Sequence, residues 1–173
     1  KRFTGLIFLA TVIVINGQEK LAPRAPYSND FQSAAIGKLP DDIMEIDGVF
    51  KVAKGEEGVK YLEMQAEPLA ENAVLLGPSV KGEASVTAKI RSFRKRRSYP
   101  RFAIGLHGIS GFRLRVVPSK GVIELVKNEE PVMSVLFKWK PDEWTVLQLD
   151  IAPDGKHWLV EGRVWSGGEK IPD

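Results

Sequence analysis

The stretch RFAIGLHGISGFRLRVV, Arg101–Val117, decides the fold class. In its first half Phe102, Ile104 and Leu106 alternate with Arg101, Ala103, Gly105 and His107. After the glycine-rich turn, Phe112, Leu114 and Val116 alternate with Arg113, Arg115 and Val117. Successive side chains of a β-strand point to opposite faces, so a period of two sorts apolar groups onto one side and polar, mostly basic groups onto the other. ASVTAKIR, Ala84–Arg91, repeats the pattern: Ala84, Val86, Ala88 and Ile90 oppose Ser85, Thr87, Lys89 and Arg91. Three strands with one oily and one polar face are the mark of antiparallel sheets packed on one side.

Working outward, similar short segments recur between Gly, Pro, Asp and Asn. Upstream lie 59–65 and 73–77; downstream lie 121–127, 132–139, 144–151 and 157–165. In EIDGVF, Asp47-Gly48 reads as a two-residue hairpin turn, because Asp-Gly supplies the positive φ that a type I′ turn requires. No segment sustains a helical period. Short strands at spacings of ~8–12 residues indicate an all-β chain, an antiparallel β-sandwich. The 173 residues suffice for one domain with a real core, expected over 29–173.

The start of the chain is different. KRFTGLIFLATVIVING places Lys1 and Arg2 before an apolar run from Leu6 to Ile15. That order matches a secretory signal, and the run is shorter than the ~20 apolar residues of a membrane-spanning helix. Residues 1–17 are expected to be a signal peptide with Gly17 at the cleavage point, and 18–28, with two prolines, a linker. A buried core strand or helix is the alternative reading of the same run. Lys1 and Arg2 are the only charges in 1–17, so the remainder carries 23 basic and 22 acidic groups, net +1. A near-neutral total gives no field that would draw nucleic acid. The absence of cysteine removes disulfides, thiolate metal sites and cysteine nucleophiles. The expected location is secreted or periplasmic, in a bacterium, with no membrane partner once the signal is cleaved.

Several segments carry a further likeness. DFQSAAIGKLPDD…IDGVFKV, YLEM, GPS, RRSYPRFAIGLHGISGFRLRVVPSKGVIEL and FKWKPDEWTVLQLDI…WLVEGRVW follow in a distinctive order. The chain resembles the concanavalin A-like, laminin-G-like jelly rolls of exported bacterial proteins, including those related to 3-keto-disaccharide hydrolase-like domains. The resemblance covers roughly residues 29–173 and implies a jelly roll. It also implies a closing strand after Trp165. SGGEKIPD lacks that strand, so the domain is expected to be truncated there, with the strand of 157–165 at an open edge.

Glu45 and Asp47 resemble the carboxylates of retaining β-glucanases of this architecture, which need carboxyls ~5–5.5 Å apart. The third acid of that pattern is missing at Val49, Phe50 and Lys51, and Asp47 sits at a turn, so no catalytic residue is assigned. Charge is segregated: residues 84–123 hold ten bases and no acid, and the rest of the chain after Gly17 holds 13 bases and 22 acids, net −9. A local cationic surface suits an acidic or sulfated polysaccharide, while the alternative is a solvated loop. On the polar face, Arg113 and Arg115 lie beside the small Ala103 and Gly105, with His107 near. Guanidinium forks suit carboxylate and sulfate oxygens. Cross-strand ion pairs, for example of Arg113 or Arg115 with Glu124, are the competing account. Glu161, Arg163 and Trp165 share a face and are expected to extend the same surface. Arg101 and Tyr99 stand in the basic loop, and Trp165 is the tryptophan expected to be exposed; Trp158 is expected in the core. His107 and His157 have no metal-ligand spacing, and no metal or cofactor is assigned.

The ligand-binding set is therefore Tyr99, Arg101, His107, Arg113, Arg115, Glu161, Arg163 and Trp165. The function expected is non-catalytic carbohydrate binding, with acidic polysaccharide as the partner the bases suit. The alternatives are a glycoside hydrolase or 3-keto-disaccharide hydrolase-like enzyme, and a structural or adhesion module.

Overall fold

The computed structural model describes residues 8–13, 26–64, 71–94, 97, 99–108 and 110–169. Among these residues there are strands and turns and no helix. The chain divides into two compact units, one of Leu21–Ser79 and one of Val80–Asp173 together with Lys1–Lys20.

The larger unit is an antiparallel β-sandwich. Its first sheet runs β1 (Phe8–Ile13), β12 (His157–Ser166), β11 (Trp144–Asp154), β6 (Ala84–Arg91). Its second is a meander, β10 (Glu130–Leu136), β9 (Val122–Lys127), β8 (Phe112–Val117), β7 (Phe102–Leu106). The strand beginning at Ala84 ends at Arg91, where the alternation ends, and β7 to β12 fall within a few residues of the sequence expectation; β1 lies within the run expected to be a signal peptide, where a strand is only the alternative reading. β12 is not an edge strand: β1 occupies the side expected to be open. Its sequence, FLATVI, contains the β-branched residues that suit a pleated ladder.

The apolar halves of the two alternations meet. Ile104, Phe112, Leu114, Val116, Ile123 and Leu125 face Leu147, Leu149, Ile151, Val160 and Val164. Leu114, Leu147 and Leu149 are at most 1% exposed, and burial of such a side chain contributes roughly 1.5–3 kcal/mol. Trp139 and Phe102 pack together, ring centroids 6.4 Å apart. Trp158 packs against the same core. Turn chemistry fixes the pairing. Asn128 and Glu129 both have positive φ, 49° and 66°, as a type I′ turn between β9 and β10 demands. The Glu129 side chain pairs with Arg113 at 2.6 Å. β10 carries Pro131 and a register shift between Pro131 and Met133, both of which an edge strand tolerates.

The smaller unit holds two two-stranded sheets. β2 (Ile43–Asp47) pairs with β5 (Ala73–Leu76), and β3 (Phe50–Lys54) pairs with β4 (Lys60–Met64). The Asp47-Gly48 turn therefore does not make the expected hairpin; it is a corner between two sheets. β2 pairs along its length with β5 instead, and within the corner Glu45 accepts the backbone N–H of Phe50 at 2.9 Å and Asp47 accepts that of Gly48 at 2.8 Å. Val52, with no exposure, and Ile43 are the buried apolar residues of this unit among those described. Tyr27 donates to Asp42 at 2.6 Å, which holds the Asp42 carboxyl below its ordinary range. Burial, together with the bond to Asp42, pushes the Tyr27 hydroxyl up.

Candidate functional site

The eight residues singled out in the sequence do not form one surface. Arg113 and Arg115 project from the second sheet and Glu161, Arg163 and Trp165 from the first. All five alternate with core residues, so they stand on opposite outer faces of the sandwich.

On the second sheet the guanidiniums are committed. Arg115 donates to Glu124 through Nε at 3.1 Å and Nη2 at 2.7 Å, and Lys120 reaches the other carboxylate oxygen at 3.1 Å. Glu124 is 3% exposed. Burial pushes its carboxyl upward, but the donors Arg115 and Lys120 outweigh it and hold the group below the usual glutamate range. The cross-strand ion pair weighed from the sequence is the arrangement present. Nor does Gly105 leave room for a ligand: Arg113 Cγ lies 3.2 Å from where its Cβ would be, so the arginine stem fills that space. His107 sits at φ 63°, its Nε2 3.1 Å from the Gly82 carbonyl oxygen and its ring edge-on to Trp158 at 5.8 Å. It is a turn residue held by packing.

The first sheet presents a different surface on the face turned away from the core. Register places three strands' outward residues in rows. Ser85, Asp150 and Glu161 form one row; Thr87, Gln148 and Arg163 the next; Lys89, Val146 and Trp165 a third. Strands ~4.8 Å apart and rows ~7 Å apart make this a small grid of polar side chains. Asp150 is its hub. It accepts from Gln148 Nε2 at 2.8 Å, from Arg163 Nη1 at 3.4 Å and from the Ser85 hydroxyl. Arg163 also pairs with Glu161. Asp150, Glu161 and Arg163 remain 29%, 20% and 23% exposed. The Nε of Arg163 is enclosed and has no acceptor among the described residues. Trp165, expected to be the exposed ring, is 9% exposed and serves as a buried border of the grid.

At the Trp144 end of the same strands the face opens into a recess of about 460 Å³. Lys89, Arg91, Asp142, Trp144, Ser166 and Gly167 line it. Lys89 Nζ stands 5.5 Å from the centre of the Trp144 ring, and Arg91 pairs with Asp142. Gly167 has no space for a side chain: a Cβ would lie 2.8 Å from Trp144 Cβ and 2.9 Å from Lys89 Cε.

Tyr99 and Arg101 belong to neither face. They lie in the exposed connection between β6 and β7, where Arg94 stacks over Tyr99 at 5.0 Å. Gln148 and Asp150 were not singled out from the sequence, although the period of WTVLQLDI puts them on one face with Trp144. Glu45 and Asp47, both exposed, cap the corner already described and do not face one another across a cleft. Among the described residues, no three His, Asp or Glu side chains are grouped so that they could hold a metal ion. No protein-family model, curated protein or solved structure matches the chain.

Proposed function

We propose that the chain is a non-catalytic carbohydrate-binding module of an exported bacterial protein, related to the concanavalin A-like jelly rolls, and that it binds glycan on the outer face of β6, β11 and β12. The observation that carries this reading is the grid around Asp150. Sugars present rows of hydroxyls that both donate and accept. A flat array of Ser85, Thr87, Gln148, Asp150, Glu161 and Arg163 offers both, held in place by its own hydrogen bonds, so little side-chain freedom is lost on binding. Trp144 supplies an aromatic wall at one end. Charges of both signs share this surface, which fits a hydroxyl-rich ligand.

Native affinity electrophoresis against neutral and acidic polysaccharides, at low and high salt, tests the proposal. Retardation by at least one polymer, abolished in Asp150→Ala, is expected. Migration unaffected by every polymer contradicts it.

One observation favours a second reading. Asp150 and Glu161 are directly opposite on adjacent strands, and such positions bring side chains to the ~5 Å separation of a retaining hydrolase's carboxylates. Arg163 ties both into one salt-linked cluster, which makes binding the preferred reading. Release of reducing sugar by the chain, lost in Glu161→Gln, would establish the enzyme instead.

A further inference from the structure

The connection between β6 and β7 carries chemistry that the sugar grid does not use. Residues 91–101, RSFRKRRSYPR, contain six bases and no acid. Within this segment Phe93 is 59% exposed and Tyr99 38%, both unusually open for aromatic rings. Each ring has a guanidinium over it, Arg91 at 5.2 Å from Phe93 and Arg94 at 5.0 Å from Tyr99. Arg97 and Arg101 are exposed. The base of the loop is anchored: Arg91 pairs with Asp142, and the Asp142 N–H donates to the Ser92 carbonyl at 2.9 Å.

We propose that this loop docks the protein on an anionic lipid surface, with Phe93 entering the boundary between headgroups and acyl chains and the arginines meeting lipid phosphates. Four to eight cations beside a membrane are enough for attraction to an anionic leaflet. An exposed aromatic ring within a basic segment is the side-chain chemistry of interfacial segments. Phe93 decides between a lipid and a soluble polyanion. A hydrated acidic polymer offers it at most one sugar face, whereas a bilayer removes the whole ring from water. Tyr99 keeps a polar tip for the headgroup level, and the Arg91 and Arg94 stems flank apolar surface while their charge stays wet. The sequence alone gave no reason to expect a membrane partner after leader cleavage; the exposure of Phe93 in the folded chain supplies it. The proposal stands apart from the glycan site, which lies on the sheet face.

The test is co-sedimentation of the full chain with phosphatidylcholine vesicles, with and without phosphatidylglycerol. Binding to the anionic vesicles alone is expected, reversed by high salt and weakened roughly fivefold by each of Arg97→Ala and Arg101→Ala. The chain has no cysteine, so Phe93→Cys accepts a single environment-sensitive dye. Its emission should shift to the blue on anionic vesicles and stay unchanged with soluble polygalacturonate. The proposal is overturned by the absence of sedimentation, by binding that persists in Phe93→Ser and both arginine variants, by a dye that stays in water while the chain binds, or by polygalacturonate binding with vesicles ignored.

Discussion

Leu114 occupies the space that a side chain at position 162 would need: a Cβ on Gly162 would stand 2.8 Å from Leu114 Cδ1. The two residues belong to different sheets, β8 and β12, so this one missing side chain sets how closely the layers pack. Gly162 also stands between Glu161 and Arg163, and its fit therefore positions the polar grid on the far side of the same strand.

Replacing Gly162 with Ala should overpack the core. The expected cost is about 1–3 kcal/mol, read as a lower midpoint in urea unfolding with an unchanged slope. A variant as stable as the parent would mean that the sheets can separate freely, contrary to the packing described.

Glu124 should make stability fall in acid. Its carboxyl is held below the ordinary range in the folded chain, so its contribution is present above the unfolded value of about 4.3 and is lost as the pH drops through the folded value. Glu124→Gln should remove ~3 kcal/mol at neutral pH by leaving Arg115 without its partner. The variant should then lose less than the parent between neutral pH and acid. Urea melts across that range measure both effects.

Glu45 and Asp47 should prove structural. Alanine at either is expected to cost ~0.5–1.5 kcal/mol, the worth of one capping hydrogen bond, and to leave glycan retention unchanged. Loss of retention in either variant would bring the smaller unit into the functional site.

The signal peptide expected over residues 1–17 is open to direct measurement. If residues 1–17 direct export, mass spectrometry of the protein recovered outside the cytoplasm should find Gln18 at its N-terminus. Such cleavage removes β1 and leaves β12 as the edge of the first sheet. Recovery with residues 8–13 attached would mean that β1 stays in place in the exported form.

Much of the fold was legible because alternation is a local property. Phe102 to Val117 and Ala84 to Arg91 announce their buried faces one residue at a time, and the core contains the residues that the period selected. Pairing is not local. Nothing in EIDGVF shows that β2 will pair with β5, about thirty residues away, rather than with β3. For the site, the alternation of HWLVEGRVW put Glu161, Arg163 and Trp165 together, as found. It could not reveal that β12 and β8 lie in different sheets, which is why Arg113 and Arg115 were expected beside them. Nor could it show that Arg113 would lie over Gly105, or that Trp165 would be covered. Asp150 became visible as a hub only once three strands were in register.

The most direct measurement is a backbone amide NMR titration with a soluble oligosaccharide from whichever polymer retards the chain. Shifts concentrated at Ser85–Lys89, Trp144–Asp150 and Glu161–Trp165, and abolished by Asp150→Ala while Arg113→Ala leaves them intact, are the predicted result. Shifts centred on β8 and β9, or none at saturating sugar, would contradict it.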